Sequence, residues 1–321
     1  MFKYIDDIKE YITNVDVEDN KISYDGKIKK SIFGHDVLLE KDPWLWHLHL
    51  KTTDACNAKC KFCVEQNQKC VEDAKQYLGS VDLMLREMES QGILYSVSVT
   101  GGEPLIFKEF SALCDVLRKH DIKFLTMNTN GKFLSTHMSD IDGLFDFVDI
   151  SRHSVNDERN NGIFGCEMPS VSDLREIKDS FKKTKMRIQC VIADLSGTED
   201  MMRFIDTFRF ADDISFRNLM RLSEQHGVHY KSKDGTYKEM LEYAFRNFDF
   251  VEQTIQDYYV YETWKNNGIP ITFSYSNMRM LYNVEKEEDE RVCREFIIHP
   301  DGVVSGSWDK HRKILYTPNN P

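Results

Sequence analysis

Between about residues 45 and 220, short segments of alternating apolar and polar residues are separated by longer segments with apolar residues at helical spacing. The alternating segments predict six strands. They are Leu45–Thr52, Leu94–Thr100, Lys123–Asn130, Phe147–His153, Met186–Ile192 and Ile214–Met220. Strands that alternate with helices in this way predict a parallel sheet, either open or curled into a barrel.

The intervening segments carry apolar residues three and four positions apart, as on one face of a helix. These apolar sets are Met84, Leu85 and Met88; Phe110, Leu113, Cys114 and Leu117; Leu174, Ile177 and Phe181; and Met201, Met202, Ile205 and Phe208. We expect Ser80 to cap the first of these helices, with Gly92 ending it, and Thr198 to cap the last.

Nearly every one of the six strands has one polar face, as in Ser96, Ser98 and Thr100. Strands of a parallel sheet covered on both faces are apolar throughout, so these strands have one wet face. A barrel with helices outside and a ligand-holding lumen explains the pattern. A sheet with one solvent-exposed face is the alternative.

The remaining chain divides into two extensions. Residues 1–44 form an N-terminal extension with a possible hairpin around Tyr24-Asp25-Gly26, and 45–220 form the barrel. Residues 236–267 predict a helix ending at Gly268, followed by strand-like segments at Ile271–Tyr275 and Arg294–Ser307. We expect 221–321 to be a C-terminal α+β extension that covers the barrel mouth.

Composition narrows the class of protein. Of the 321 residues, 41% are hydrophobic, enough for a full-size core. The net charge of −11 disfavours a nucleic-acid substrate. No apolar run is long enough to cross a membrane, and the acidic N-terminal segment is not a signal peptide, so we expect a cytoplasmic protein. The eight cysteines are then expected as thiols.

Three of these cysteines, Cys56, Cys60 and Cys63, directly follow the first barrel strand at spacings of four and three residues. Thiolates are the ligands that iron–sulfur clusters prefer, and three of them leave one iron of a four-iron cluster open. Structural zinc with a fourth ligand from His47, His49 or Cys70 is one alternative. Incidental or buried cysteines are the other.

The second strand ends in Gly101-Gly102-Glu103-Pro104. The CxxxCxxC motif, with Phe62 before its last cysteine, together with this GGEP segment resembles the signature of the radical SAM superfamily. The resemblance covers roughly residues 45–220. It implies that Gly101, Gly102 and Glu103 bind the amino group of the methionine moiety of S-adenosylmethionine, because glycines permit close backbone approach and a carboxylate accepts from an ammonium.

The resemblance further implies a fold and a reaction. The fold is an α/β partial (β/α)6 TIM-type barrel, here with the C-terminal α+β extension. The cofactors are one [4Fe–4S] cluster and S-adenosylmethionine, which is cleaved reductively to methionine and a 5′-deoxyadenosyl radical. That radical abstracts hydrogen from a substrate, expected here to be a small molecule or a peptide in a biosynthetic pathway. A reductant such as flavodoxin or ferredoxin is the implied partner.

Further cofactor-binding positions follow from the same resemblance. Asn128 ends the third strand, and Ser151 is similar to the family serine that contacts the methionine carboxylate or ribose. Arg159 is the candidate for the basic residue that accompanies it, with Arg187 behind it. Gln189 lies where related enzymes contact ribose or adenine. Each is alternatively a lumen residue that bonds only within the barrel.

Two residues are candidates for contact with the substrate. His153 is suited to act as acid or base near neutral pH, and Arg217 suits a carboxylate or phosphate group. The alternative is a structural histidine and a surface arginine.

Cys293 opens a segment similar to the SPASM or Twitch extensions of many relatives, which bind auxiliary clusters. Gly302 follows at a matching distance, but Ser307 stands at the second ligand position. The segment therefore resembles a remnant without its cluster, or is an ordinary hairpin. Two other functions stay open: an interaction protein with structural zinc, and a tRNA-modifying radical enzyme, which would need a local basic surface.

Overall fold

The computed structural model describes residues 27–40, 45–63, 73–219, 235–256, 259–276 and 278–318. Its first element is a hairpin of strands β1 (Lys27–Ile32) and β2 (His35–Glu40). The turn lies at Phe33 and Gly34, both with positive φ, as two-residue hairpin turns require. The hairpin expected around Tyr24-Asp25-Gly26 lies outside the described residues.

The six predicted barrel strands are all present. They are β3 (Trp46–Lys51), β4 (Tyr95–Thr100), β5 (Phe124–Thr129), β6 (Phe147–Ser151), β7 (Lys185–Val191) and β8 (Asp213–Arg217). Each pairs in parallel with the next in chain order. The sheet curls without closing, so the prediction of a partial barrel is confirmed.

Helices connect the strands. They are α1 (Ala74–Ser90), α2 (Phe110–Leu117), α3 (Met138–Ile141), α4 (Asp157–Phe164), α5 (Val171–Ser180) and α6 (Thr198–Thr207). Two expected caps are wrong. Asp73 caps α1 by accepting from the Gln76 amide, so Ser80 lies buried inside that helix. Helix α6 begins at Thr198 itself, after Gly197.

The helix predicted over residues 236–267 ends early. Helix α7 (Thr236–Asn247) is followed by a meander of strands β9 (Asp249–Gln256), β10 (Tyr259–Asn266) and β11 (Ile269–Ser276). In β10 every second residue is buried, and this inward set mixes Trp264 with polar Glu262. The hydrophobic sequence pattern therefore does not show the strand period.

The C-terminal segment extends both edges of the barrel sheet. Strand β11 pairs in parallel with β8. After α8 (Met278–Glu287), strand β12 (Phe296–Ile298) pairs in parallel with β3, and β13 (Val304–Ser305) and β14 (Ile314–Tyr316) follow it. The division at residues 44 and 220, and the covering of the barrel mouth, stay predictions.

The two faces of the sheet differ in chemistry. Apolar side chains such as Leu48, Val97 and Ile188 are fully buried beneath the helices. Burial of such a side chain contributes about 1.5–3 kcal/mol. The opposite, concave face carries the alternating polar residues, which include Asn128, Ser151, Gln189 and Arg217. The carboxyl ends of the parallel strands meet at one rim of this face, where the cysteine loop begins.

Candidate functional site

The cysteine loop and the Gly-Gly-Glu segment are joined backbone to backbone. Just past the end of β3, the Thr52 amide donates to the carbonyl of Thr100, the last residue of β4, at 2.9 Å. The Gly102 amide then donates to the Thr53 carbonyl at 2.7 Å, and the Glu103 amide to the Ala55 carbonyl at 2.9 Å. Because Ala55 immediately precedes Cys56, the second motif directly supports the first.

This backbone contact explains both glycines. A Cβ atom on Gly102 would lie 2.1 Å from the Ala55 carbonyl oxygen, and one on Gly101 would lie 2.6 Å from the Thr53 carbonyl oxygen. Gly101 also has φ of +143°, which side chains other than glycine rarely adopt. The glycines are therefore needed for contact with the loop that carries Cys56, whatever ligand the segment binds.

Glu103 is almost fully buried, with 1% of its surface exposed. One carboxylate oxygen accepts from the Thr129 hydroxyl at 2.6 Å and the Leu105 amide at 3.2 Å, and the other accepts from the Asn130 amide at 2.8 Å. All three donors are neutral. Burial raises the pKa of Glu103 to about 7, against these hydrogen bonds.

The three cysteines are at the surface or partly buried, so their thiols are accessible. Burial raises the pKa of the Cys60 thiol to about 12, and repulsion from the thiolates of Cys63 and Cys56 adds to it. Repulsion by Glu103 contributes, after burial, to the raised pKa of Cys56. The three thiols and the carboxylate therefore share one neighbourhood.

One side chain and one backbone amide that the sequence did not single out hold this loop. Asn57 accepts from the Asn130 amide group at 2.8 Å, and its own amide group lies 3.9 Å from the Cys166 sulfur. The Lys59 amide donates to the Phe164 carbonyl at 2.7 Å. The positions of Asn57 and Lys59 inside the cysteine motif were the available signal, but the pairing of Asn57 with Asn130 requires the fold.

The beginning of the loop also contains a buried ion pair. Lys51, the last residue of β3, is fully buried, and its ammonium lies 2.7 Å from an oxygen of Asp54. Because a buried charge is stable only with a partner, this pair fixes the turn between the strand and Cys56.

Phe62 and His153 are brought together. The Phe62 ring meets the His153 ring edge to face at 5.0 Å, and His153 stacks on Phe164 at 5.0 Å. Burial lowers the pKa of His153 to about 3, and its Nδ1 accepts from the Val191 amide at 3.2 Å. These contacts indicate that His153 is neutral and packs against Phe62. Its role as an acid or base stays a prediction.

The other candidates occupy different places. Asn128 donates to the Ser98 hydroxyl at 2.9 Å on the concave face. Ser151 and Gln189 are direct neighbours across β6 and β7 on that face. Arg159 lies on α4, is half exposed and forms an ion pair with Asp194. Neither of these two residues belongs to β6 or β7.

The side chains near the cysteine loop suit an iron–sulfur cluster better than zinc. Within the described ranges, no group of three or more His, Cys, Asp and Glu side chains is placed to hold a metal ion directly. His47 bonds to Ser96 at 2.7 Å and His49 to Glu295 at 2.9 Å, so both imidazoles have other partners. Cys70 lies outside the described residues. Three neighbouring accessible thiols remain, and they suit a cluster of several irons.

Comparison with known families decides the class of protein. Residues 50–211, half of the chain, match the Radical SAM superfamily. The chain belongs to the radical SAM superfamily. Its members are enzymes that use a [4Fe–4S] cluster and S-adenosylmethionine, so the enzyme class and the cofactor pair expected from the two motifs are confirmed.

Curated relatives include several GTP 3′,8-cyclases. The chain is 26% identical over 189 residues to a probable GTP 3′,8-cyclase of Metallosphaera sedula, covering 56% of each chain. It is 25% identical over 197 residues to the GTP 3′,8-cyclase of Psychromonas ingrahamii, covering 55% of this chain and 57% of that one. The chain spans about half the length of the curated relatives it matches.

Solved structures share the fold over a longer stretch. Streptococcus suis SuiB bound to S-adenosylmethionine superimposes with a TM-score of 0.60 at 17% identity, covering 82% of this chain and 60% of SuiB. The anSMEcpe structure with bound AdoMet gives 0.56 at 17% identity, covering 86% and 78%. Both likenesses extend beyond the family match and therefore include part of the C-terminal segment.

No helix in the part of the chain that the structure describes is both long and apolar enough to span a bilayer.

Proposed function

We propose that this radical SAM protein binds one [4Fe–4S] cluster through Cys56, Cys60 and Cys63 and cleaves S-adenosylmethionine reductively to act on a small molecule or peptide. The observation that supports it is the backbone junction of residues 53–55 with 101–103. Through it, the backbone of the buried Glu103 contacts Ala55, the residue that precedes Cys56.

The protein's own contribution is binding and orientation. The three thiolates would hold the cluster, which when bound and reduced supplies the electron for cleavage. Glu103, whose three hydrogen-bond donors are neutral, would accept the ammonium of the methionine moiety. Ser151 and Gln189 would contact its sugar or carboxylate from the concave face. Asn57 and Lys51 position the loop and need no contact with either cofactor.

The substrate and partners follow by analogy. One solved structure shows SuiB bound to the precursor peptide SuiA, and the curated relatives are named for a reaction of GTP. A peptide or a small molecule on the concave face is therefore our proposal. A flavodoxin or ferredoxin would supply electrons in the cytoplasm. Cys293 is the only cysteine in the sequence after residue 220, and Ser307 stands at the second ligand position, which supports one cluster and no auxiliary one.

The test is reconstitution with iron and sulfide under anaerobic conditions, followed by reduction with dithionite in the presence of S-adenosylmethionine. The wild-type protein should bind about four irons per chain, as one cluster requires, and release methionine with 5′-deoxyadenosine. Gly102→Ala should lose both properties, because its Cβ would collide with Ala55. Gly162→Ala, at a site with open space, is the matched control.

The two outcomes are distinct. Cleavage by Gly102→Ala at the wild-type rate would contradict the proposed junction. Wild-type protein with iron but no cleavage would contradict the proposed reaction.

A further inference from the structure

The acidic residues on the concave face already have partners. Arg187 on β7 contacts Asp149 on β6 at 3.2 Å and Asp213 on β8 at 3.0 Å. Glu295, next to β12, contacts His49 on β3 at 2.9 Å and accepts from the Trp308 indole at 2.6 Å. These carboxylates are therefore held by the protein itself and do not need a ligand cation.

Arg217 differs from Arg187 on the neighbouring strand. It is the last residue of β8, partly exposed on the same face, and its side chain makes no ion pair or hydrogen bond with any residue in the described part of the chain. Burial raises the pKa of Asp149, and the charges of Arg187 and Arg217 oppose this rise, but the carboxylate is hydrogen-bonded to Arg187. Arg217 is thus a guanidinium held near the concave space with its donors available.

The backbone around Arg217 is fixed. Asn218, the next residue, donates from its side-chain amide to the Ser276 carbonyl at 3.1 Å and accepts from the Ser276 amide at 2.9 Å. Its own backbone amide donates to the Ser274 carbonyl at 3.1 Å. The pairing of β8 with β11 therefore continues past Arg217, and the position of this residue does not depend on a ligand.

Arg217 stands in one row with two hydroxyl groups. It pairs in register with Ser274 on β11, and Ser274 pairs in register with Tyr261 on β10. Residues in register point to the same face, and adjacent strands lie about 4.8 Å apart, so the row is about 10 Å wide. That width fits one charged group of a substrate held by several donors.

Tyr261 faces the same space as these charges. Its side chain is 38% exposed, and its hydroxyl makes no hydrogen bond among the described residues. Burial within the concavity raises the pKa of Tyr261, with smaller electrostatic effects from Arg217, Glu295, Arg187 and Asp149. Glu295 lies next to β12, on the other side of β3 from the strands that carry Arg187 and Asp149.

We propose that Arg217, Ser274 and Tyr261 bind an anionic oxygen group of the substrate, either a carboxylate or a phosphate. The inference rests on the proposed function and adds the chemical class of its substrate. A guanidinium and two hydroxyls supply hydrogen-bond donors to oxygen, and the planar fork of arginine matches both groups. The neighbouring acids are each bonded elsewhere, so they leave these donors to the ligand.

The test is anaerobic calorimetry on the reconstituted protein with saturating S-adenosylmethionine. Inorganic pyrophosphate is the phosphate probe and glutarate is the carboxylate probe. We expect the wild-type protein to bind at least one of them, and the tighter probe identifies the group. Arg217→Met should weaken that binding at least tenfold, Arg217→Lys less, and Tyr261→Phe by severalfold, because each removes donors.

The matched control is Arg246→Met, which removes a guanidinium from the exposed side of α7 and should bind like the wild type. Binding of neither probe to the wild type, or equal binding by wild type and Arg217→Met, would overturn the inference. Iron content and affinity for S-adenosylmethionine are measured on the same samples. If Arg217→Met keeps the wild-type iron content and affinity for S-adenosylmethionine but no longer binds the probe, the anion site is separate from the cofactor site. If the wild-type protein itself binds neither iron nor S-adenosylmethionine, the proposed function is refuted.

Discussion

Two buried glutamates show how differently the two ends of the molecule are built. Glu103, beside the cysteine loop, accepts three hydrogen bonds from neutral donors, and burial raises its pKa to about 7. Glu288, after α8, is also buried but contacts Arg294 through two bonds of 2.6 and 2.8 Å and Lys313 at 2.5 Å. Burial would raise the pKa of Glu288, but these cations lower it.

The cysteines of the two regions differ in the same way. Cys56, Cys60 and Cys63 are accessible and lie near one another. Cys293 is 1% exposed and packs on Gly306, where a Cβ would lie 2.5 Å from its sulfur. Ser307, at the position expected for a second ligand, is bonded to Glu285 at 3.1 Å.

The difference teaches where a ligand belongs. The C-terminal region satisfies its charges and fills its space with its own side chains. In the cysteine region, Glu103 accepts hydrogen bonds only from neutral donors, and a buried carboxylate with a raised pKa is typical of binding sites.

The largest effect that separates the regions concerns iron. Cys60→Ala should reduce the iron content after reconstitution from about four per chain to below one, because a site-differentiated cluster needs all three thiolates. Cys293→Ala is the matched control and should keep the full content. Iron and sulfide analysis checks both. Full retention by Cys60→Ala, or loss by Cys293→Ala, would reverse the assignment of the two regions.

The next effect concerns the ion network. Lys313→Met should lower the free energy of unfolding by about 1–3 kcal/mol, because it removes one of the two cations of Glu288 and the donor to the buried Val292 carbonyl. Lys29→Met, which breaks an exposed pair with Asp36, should cost less than about 1 kcal/mol. Urea unfolding measures both. Equal losses of unfolding free energy in the two variants would show that the buried contact of Lys313 with Glu288 stabilises the protein no more than an exposed pair.

The third effect is a dependence on pH. Because the pKa of Glu103 is raised to about 7, the native state holds a proton there that the unfolded state loses above its ordinary value near 4.5. Stability should therefore fall as pH rises from about 4.5 to 7, by at most about 1.4 kcal/mol per pH unit. Urea unfolding at several pH values gives the slope of the unfolding free energy against pH. The contribution of Glu103 is the difference in this slope between the wild-type protein and Glu103→Gln.

Saturating S-adenosylmethionine gives this prediction a second arm. If the carboxylate faces the ammonium of the ligand, the charged form is favoured and the difference in slope should disappear. If the slope difference is unchanged with ligand, Glu103 does not contact the ammonium and only accepts from Thr129, Asn130 and Leu105.

The smallest effect is the loss of unfolding free energy when Cys293 is replaced. Cys293→Ala should cost about 1–3 kcal/mol in urea unfolding, since it removes a buried sulfur from a packed site. Cys114→Ala, another buried thiol, is the comparison and should cost a similar amount. A much larger loss for Cys293 alone would indicate a role beyond packing.

The cysteine end could be predicted from sequence because its parts are local. Strands β3 to β8 show their period, and Gly101 and Gly102 stand at the end of one of them. What could not be predicted is that these glycines contact the backbone of residues 53–55, and that Thr129 and Asn130 bond to Glu103. Such contacts join strands that only the fold places side by side.

The C-terminal end was predicted less well. The sequence predicts one helix over residues 236–267, but the structure has strands from Asp249 onward. In β10 the buried positions include Glu262 and Asn266, while Tyr261 is exposed on the concave face. Hydrophobicity therefore does not mark the inward side of this strand, and the row of Arg217, Ser274 and Tyr261 could not be found without the registers of β8, β11 and β10.

The parallel pairing of β12 with β3 has a consequence for synthesis. Phe296 lies opposite Leu48, so the strand that leads into the cysteine loop is completed by residues made almost at the end of the described chain. Until those residues leave the ribosome, β3 is an open edge that can pair with other chains. We expect iron to be inserted after translation, and nascent chains that stop before Arg294 to aggregate more readily than chains that include β12.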